Sequence, residues 1–79
     1  MALVRTQALV IAFDSTTAAL AAERELGARG LPGRIIPLPR EISAGCGLSW
    51  KTLPSARELV IAALDEAEIS WAGAYELTI

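Results

Sequence analysis

Residues 8–13 read Ala-Leu-Val-Ile-Ala-Phe, six apolar side chains in a row bounded by Thr6-Gln7 and Asp14-Ser15. A run so short and so apolar suits a central β-strand covered on one face. A central strand needs a partner on each edge and a layer packed against it, and 79 residues must supply all of these. Typical domains run to about 100–150 residues, so one domain is expected over 1–79, with its core in 8–79 and residues 1–6 as a lead-in. A chain of this size buries only about 60–65% of its unfolded surface, which leaves little room for an internal cavity.

Fifteen alanines account for much of the 53% apolar fraction, and the rest of the core is stocked with Leu and Ile. No segment approaches the roughly 18 consecutive apolar residues of a membrane span. Arg5 is the only charged residue ahead of the first apolar run, and no small-residue cleavage site follows that run, so a signal peptide is not expected. A cytoplasmic, reducing location follows, in which a lone thiol stays free. The net charge of −2 argues against a nucleic-acid partner, which calls for a basic footprint. The charge is uneven, +2 over residues 1–40 and −4 over 41–79, a pattern that solvated helix faces explain. With no histidine there is no imidazole-based triad, and one cysteine permits neither an internal disulfide nor a thiolate metal cage. No metal or cofactor is expected.

After the first strand, Ser15 or Asp14 offers an N-cap, and Ala19, Ala22 and Leu26, with Leu20 beside them, form the apolar stripe of a helix. Gly30 and Pro32 end it, with Gly27 as an earlier possible stop. Residues 34–38 read as a second strand, and Pro37 and Pro39 place it at an edge. Leu48, Trp50 and Thr52 mark a third strand with period two. Ser55-Ala56-Arg57-Glu58 reads as a capping box opening a second helix, whose spaced positions are Leu59, Val60, Ala63, Leu64 and Ala67. Asp65, Glu66 and Glu68 near its end read as a solvated cluster rather than an acid–base pair. Trp71, Gly73, Tyr75, Leu77 and Ile79 alternate as a last strand. The order β-α-β-β-α-β predicts an α+β fold, the ferredoxin-like sandwich of a four-stranded antiparallel sheet with both helices on one face. The other face is expected to be uncovered. Trp50, Trp71 or Tyr75 there would make it an association surface for a homodimer.

The connection between the second and third strands exceeds what a hairpin needs. About two to five residues suffice, whereas Pro39-Arg40-Glu41-Ile42-Ser43-Ala44-Gly45-Cys46-Gly47 is nine and holds the only cysteine. Gly45 and Gly47 allow positive φ angles and close approach by another molecule on both sides of Cys46, and their amides can form an anion-binding nest. Arg40 and the Ser43 hydroxyl are near enough in sequence to support a thiolate, the reactive form of sulfur. Glu41 is a weaker candidate, because a carboxylate beside sulfur disfavours the anion; a salt bridge or a capping role suits it better. The residues leave two readings of Cys46 open: a reactive nucleophile, or a small buried hydrophobe whose glycines merely turn the chain.

Phe13-Asp14-Ser15-Thr16, the helix from Ala18 to Glu25, and Ile36-Pro37-Leu38-Pro39-Arg40-Glu41-Ile42-Ser43-Ala44-Gly45-Cys46-Gly47-Leu48 resemble the selenium/sulfur (Se/S) carrier protein-like family of small bacterial domains. The resemblance covers about residues 8–77, its most specific part being Pro-Arg-Glu-Ile-Ser-x-x-Cys-Gly, and Gly73-Ala74-Tyr75-Glu76 is similar to the family's last strand. It implies a cysteine that carries sulfur or selenium as a persulfide or selenopersulfide, a role closer to relay than to a stand-alone enzyme. It also implies partners: a donor such as a cysteine desulfurase or a TusA-like relay protein, and an acceptor protein. Thr17 stands where the family commonly has His, so no imidazole role carries over. The competing expectation is a non-catalytic ferredoxin-like module for ligand binding, regulation or dimerisation, with a structural cysteine.

Overall fold

In the computed structural model, which describes residues 6–43 and 45–79, every side chain from Ala8 to Phe13 is 2% exposed or less. Residues 1–5 of the expected lead-in, Arg5 among them, lie outside the described residues. Strand β1 (Gln7–Ala12) has a neighbour on each edge, β3 (Leu48–Thr52) and β4 (Gly73–Thr78), both antiparallel to it. Beyond β3 lies β2 (Arg34–Pro37), an edge strand as its prolines require, giving the sheet order β2-β3-β1-β4. Helix α1 (Thr16–Ala28) joins β1 to β2, and α2 (Arg57–Glu66) joins β3 to β4. This is the ferredoxin-like sandwich.

Both helices pack on one face. Leu9, Ile11 and Phe13 meet Ala19, Ala22 and Leu26 of α1 and Val60, Ala63 and Leu64 of α2 in one buried cluster. Alanines at the contact let each helix lie close to the sheet. Leu20, beside the expected stripe, is instead 50% exposed. The Ser15 side chain accepts from the Ala18 N–H at 3.1 Å, the cap that the sequence offers. Gly27 stays within the helix and Gly30, at φ 69°, follows its end. Arg29 then donates to Glu25 at 2.9 Å and to Glu66 at 2.7 Å, pinning the end of α1 to α2.

Three expectations need correction. The capping box at Ser55 does not form: Pro54–Ala56 is a 3-10 turn, and α2 starts at Arg57 behind Ala56, which has no side-chain cap. Pro54 supplies the fixed φ that starts the turn, and the Ala56 N–H donates to the Leu53 carbonyl at 2.9 Å, so backbone closes what a hydroxyl was expected to close. The last strand begins at Gly73, not at Trp71. Most consequential is the second sheet face. Trp50 faces the helices, paired in register with Ile11, and Trp71 packs on that same side, its indole N–H donating to Asp65 at 3.2 Å. Only Tyr75 of the three aromatics lies on the other face, and that face is partly covered. Ile42, from the β2–β3 connection, is 5% exposed over Val10 and Ala12, with Leu38, Tyr75, Leu77 and Ile79 around them.

No helix among the described residues is long and apolar enough to cross a membrane. Ile42 therefore acts as core although it sits in a connection, and Ile42→Ala should destabilise the fold by about 2 kcal/mol or more. Leu20→Ala on exposed α1 should change stability by less than about 0.5 kcal/mol. Urea denaturation of the two variants checks the pair, and equal effects would contradict the placement of Ile42.

Candidate functional site

The connection from Leu38 to Gly47 is fastened at three points. The Leu38 N–H donates to the Gly47 carbonyl at 2.9 Å and closes its neck. The Ile42 N–H donates to the Pro39 carbonyl at 3.0 Å, turning the chain so that the Ile42 side chain enters the sheet face. The Cys46 N–H donates to the Phe13 carbonyl at 2.9 Å, tying the cysteine backbone to the residue that follows β1. Phe13 precedes Asp14 and the N-cap Ser15, so Cys46 lies at the end of the sheet where α1 begins.

Each flanking glycine has φ 93°, a conformation that side chains with a Cβ rarely adopt. They differ in surroundings. A Cβ on Gly45 would stand 2.5 Å from the Phe13 carbonyl oxygen, whereas one on Gly47 would meet nothing within 4 Å. Gly45 thus allows the close approach to β1, and Gly47 is needed only for its dihedral.

Cys46 is a free cysteine, partly buried, with its apolar side against the helix-side cluster. That placement combines features of both readings of the residue: it packs as a small hydrophobe and it keeps part of its surface in solvent. Arg40 and Ser43 are exposed on the same connection. Neither makes a side-chain hydrogen bond or ion pair among the described residues, to Cys46 or to anything else. Glu41 is likewise exposed and, among the described residues, forms neither the salt bridge nor the cap that its position suggests. Ala44 lies outside the described residues. Thr17, in the first turn of α1, is exposed at the same end of the sheet as Cys46.

A polar clamp that the sequence does not reveal supports this end. The Ser70 hydroxyl donates to Asp14 Oδ2 at 2.6 Å, and the Ala72 N–H donates to the Ala12 carbonyl at 2.7 Å. Together they bind the approach to β4 against the exit from β1, beside the segment that holds Cys46. Fifty-six residues separate Asp14 from Ser70, and no local pattern connects them. No group of three or more His, Cys, Asp or Glu among the described residues is placed to hold a metal ion.

The family model described as "Putative Se/S carrier protein-like" matches residues 8–76. No curated protein and no solved structure matches the chain.

The two glycines give a graded test of this geometry. Gly45→Ala meets both the dihedral penalty and the Phe13 carbonyl, and should cost about 3 kcal/mol or more, while Gly47→Ala should cost about 1–2 kcal/mol. Chemical denaturation of both variants reads the difference, and a Gly45→Ala protein as stable as Gly47→Ala would contradict the contact.

Proposed function

Because the chain belongs to the Se/S carrier protein-like family, we propose that it holds one sulfur or selenium atom on Cys46 and passes it between partner proteins. The observation that supports this most is the mounting of Cys46: a partly exposed thiol, its backbone fixed to Phe13, between two residues without side chains. A carrier sulfur must be reachable by another protein's cysteine, and the open space at Gly47 leaves that path free on one side.

Loading is a thiolate displacement. The Cys46 thiolate attacks the terminal sulfur of a donor cysteine persulfide, a new bond from Cys46 Sγ to that sulfur forms, and the donor's own S–S bond breaks. The donor cysteine leaves as a thiolate and takes a proton from solvent, so no outside oxidant or reductant is consumed. Unloading runs the same way, with an acceptor thiolate attacking the outer atom and Cys46 leaving. A selenium cargo follows the same course with Se in place of the outer sulfur. Arg40 and Ser43, exposed on the same connection and without a side-chain bond among the described residues, are the side chains assigned to steady the thiolate and the persulfide anion. Gly45 and Gly47 contribute backbone and space.

The donor class is a cysteine desulfurase or a TusA-like relay protein, and the acceptor is a further protein. Homodimerisation across the second sheet face belongs to the same reading, supported by the partly buried Leu38, Tyr75, Leu77 and Ile79 there. The packing of Cys46 against the core favours a second reading, a non-catalytic module in which the cysteine is structural.

Incubation with a cysteine desulfurase and free cysteine, followed by intact mass spectrometry, separates the two. The carrier reading expects a gain of one sulfur atom that disappears in Cys46→Ser, and a loading rate lowered about two- to fivefold in Arg40→Gln. No gain, or a gain that persists in Cys46→Ser, favours the structural cysteine.

A further inference from the structure

The end of the sheet opposite Cys46 carries a different chemistry. A solvent-open pocket of about 310 Å³ lies there, between the start of β1, the approach to β2 and the end of β3. Thr6, Ala8, Pro32, Gly33, Arg34 and Lys51 line it. Its frame is fixed rather than loose. The Thr52 hydroxyl donates to the Pro32 carbonyl at 2.7 Å, and Thr6 and Ile79 exchange backbone hydrogen bonds at 3.3 and 3.1 Å.

Arg34 and Lys51 stand directly opposite each other in the β2–β3 register. Lys51 is also in register with Val10, and Val10 with Tyr75, so both cations belong to the sheet face away from the helices. Like charges in this position repel and cost stability. No acid relieves them: among the described residues neither cation forms an ion pair. Glu76, the one carboxylate carried by a strand, pairs with Leu9 and so lies on the helix side. Two facing cations held without a counter-charge, beside a pocket large enough for a small molecule, match the requirements of an anion site.

We propose that this pocket binds a small molecule through an oxyanion group, a phosphate or carboxylate clasped between the Arg34 guanidinium and the Lys51 ammonium. Arginine supplies a planar fork for two oxygens and lysine a compact charge from the neighbouring strand. Thr6 and the Pro32–Gly33 turn bound the remainder of the ligand. The site is separate from Cys46: Lys51 is level with Val10, about 10 Å along β1, at roughly 3.4 Å per residue, from the Phe13 carbonyl that holds the cysteine backbone, and the site does not depend on the carrier reading.

Trp50 provides a reporter. Its indole nitrogen is buried without a partner among the described residues and lies, on the helix side of the sheet, directly against Gly33, a residue that lines the pocket. The Trp71 indole, bonded to Asp65, serves as the internal control. Amide and indole resonances of the labelled protein are followed during titration with inorganic phosphate, and separately with citrate, against chloride at matched ionic strength. Binding is expected to give saturable shifts at residues 6–8, 32–34 and 51–53 and at the Trp50 indole, with Cys46 and the Trp71 indole unmoved. Saturation by phosphate alone identifies a phosphorylated ligand, and saturation by citrate alone a carboxylate. Arg34→Gln and Lys51→Gln, each made singly, should weaken binding about tenfold or more while leaving sulfur loading of Cys46 unchanged. In chloride, either variant should unfold at a higher temperature than the parent, because the repulsion is gone. Absence of saturable shifts with both anions, or an affinity in both variants equal to that of the parent, would overturn the proposal.

Discussion

The fold depends on covering β1 from both sides. A strand whose side chains are all apolar after Gln7 cannot have one face in water without a large loss of hydrophobic stabilisation. The helices cover Leu9, Ile11 and Phe13. They cannot reach Val10 and Ala12, which point the other way, and among the described residues no further helix or strand covers that face. The β2–β3 connection fills that gap with Ile42. Its unusual length is thus partly an architectural requirement, and the same fastening that brings Ile42 onto the sheet carries Cys46 to the end of β1. Core and candidate site share one segment.

The sequence made the fold largely legible, for an identifiable reason. Each element rests on a local pattern that no tertiary contact contradicts: the apolar run of β1, the Ser15 cap, the prolines at the β2 edge, and the alternation in β3. The misreadings arose where two local signals competed or where the deciding contact was remote. At Ser55, a preceding proline and an inward-facing Ala56 turned a capping box into a 3-10 turn. At Trp50, period two alone could not say which face was which. The register with Ile11 decides it, and register depends on strand pairing across the sheet.

The candidate site was legible in composition more than in contact. An overlong connection with its lone cysteine between glycines stands out in the sequence, and the structure adds the positive φ angles and the hydrogen bond to Phe13. The covering role of Ile42 and the Asp14–Ser70 clamp were not foreseeable, because each joins parts of the chain far apart in sequence. The Arg34–Lys51 pair escaped notice for the same reason: seventeen positions apart, they become neighbours only when β2 and β3 pair.

The bond from the Cys46 amide to Phe13 has one more consequence. With its backbone held, the cysteine keeps two torsions for an atom attached to Sγ, about Cα–Cβ and about Cβ–Sγ, each with a few staggered settings. An atom attached to Sγ can therefore occupy only a few discrete places. Rotation alone would turn it from the protein wall towards water, with no rearrangement of the chain. The mount behaves as a pivot, and in the proposed carrier role the receiving partner must come to it.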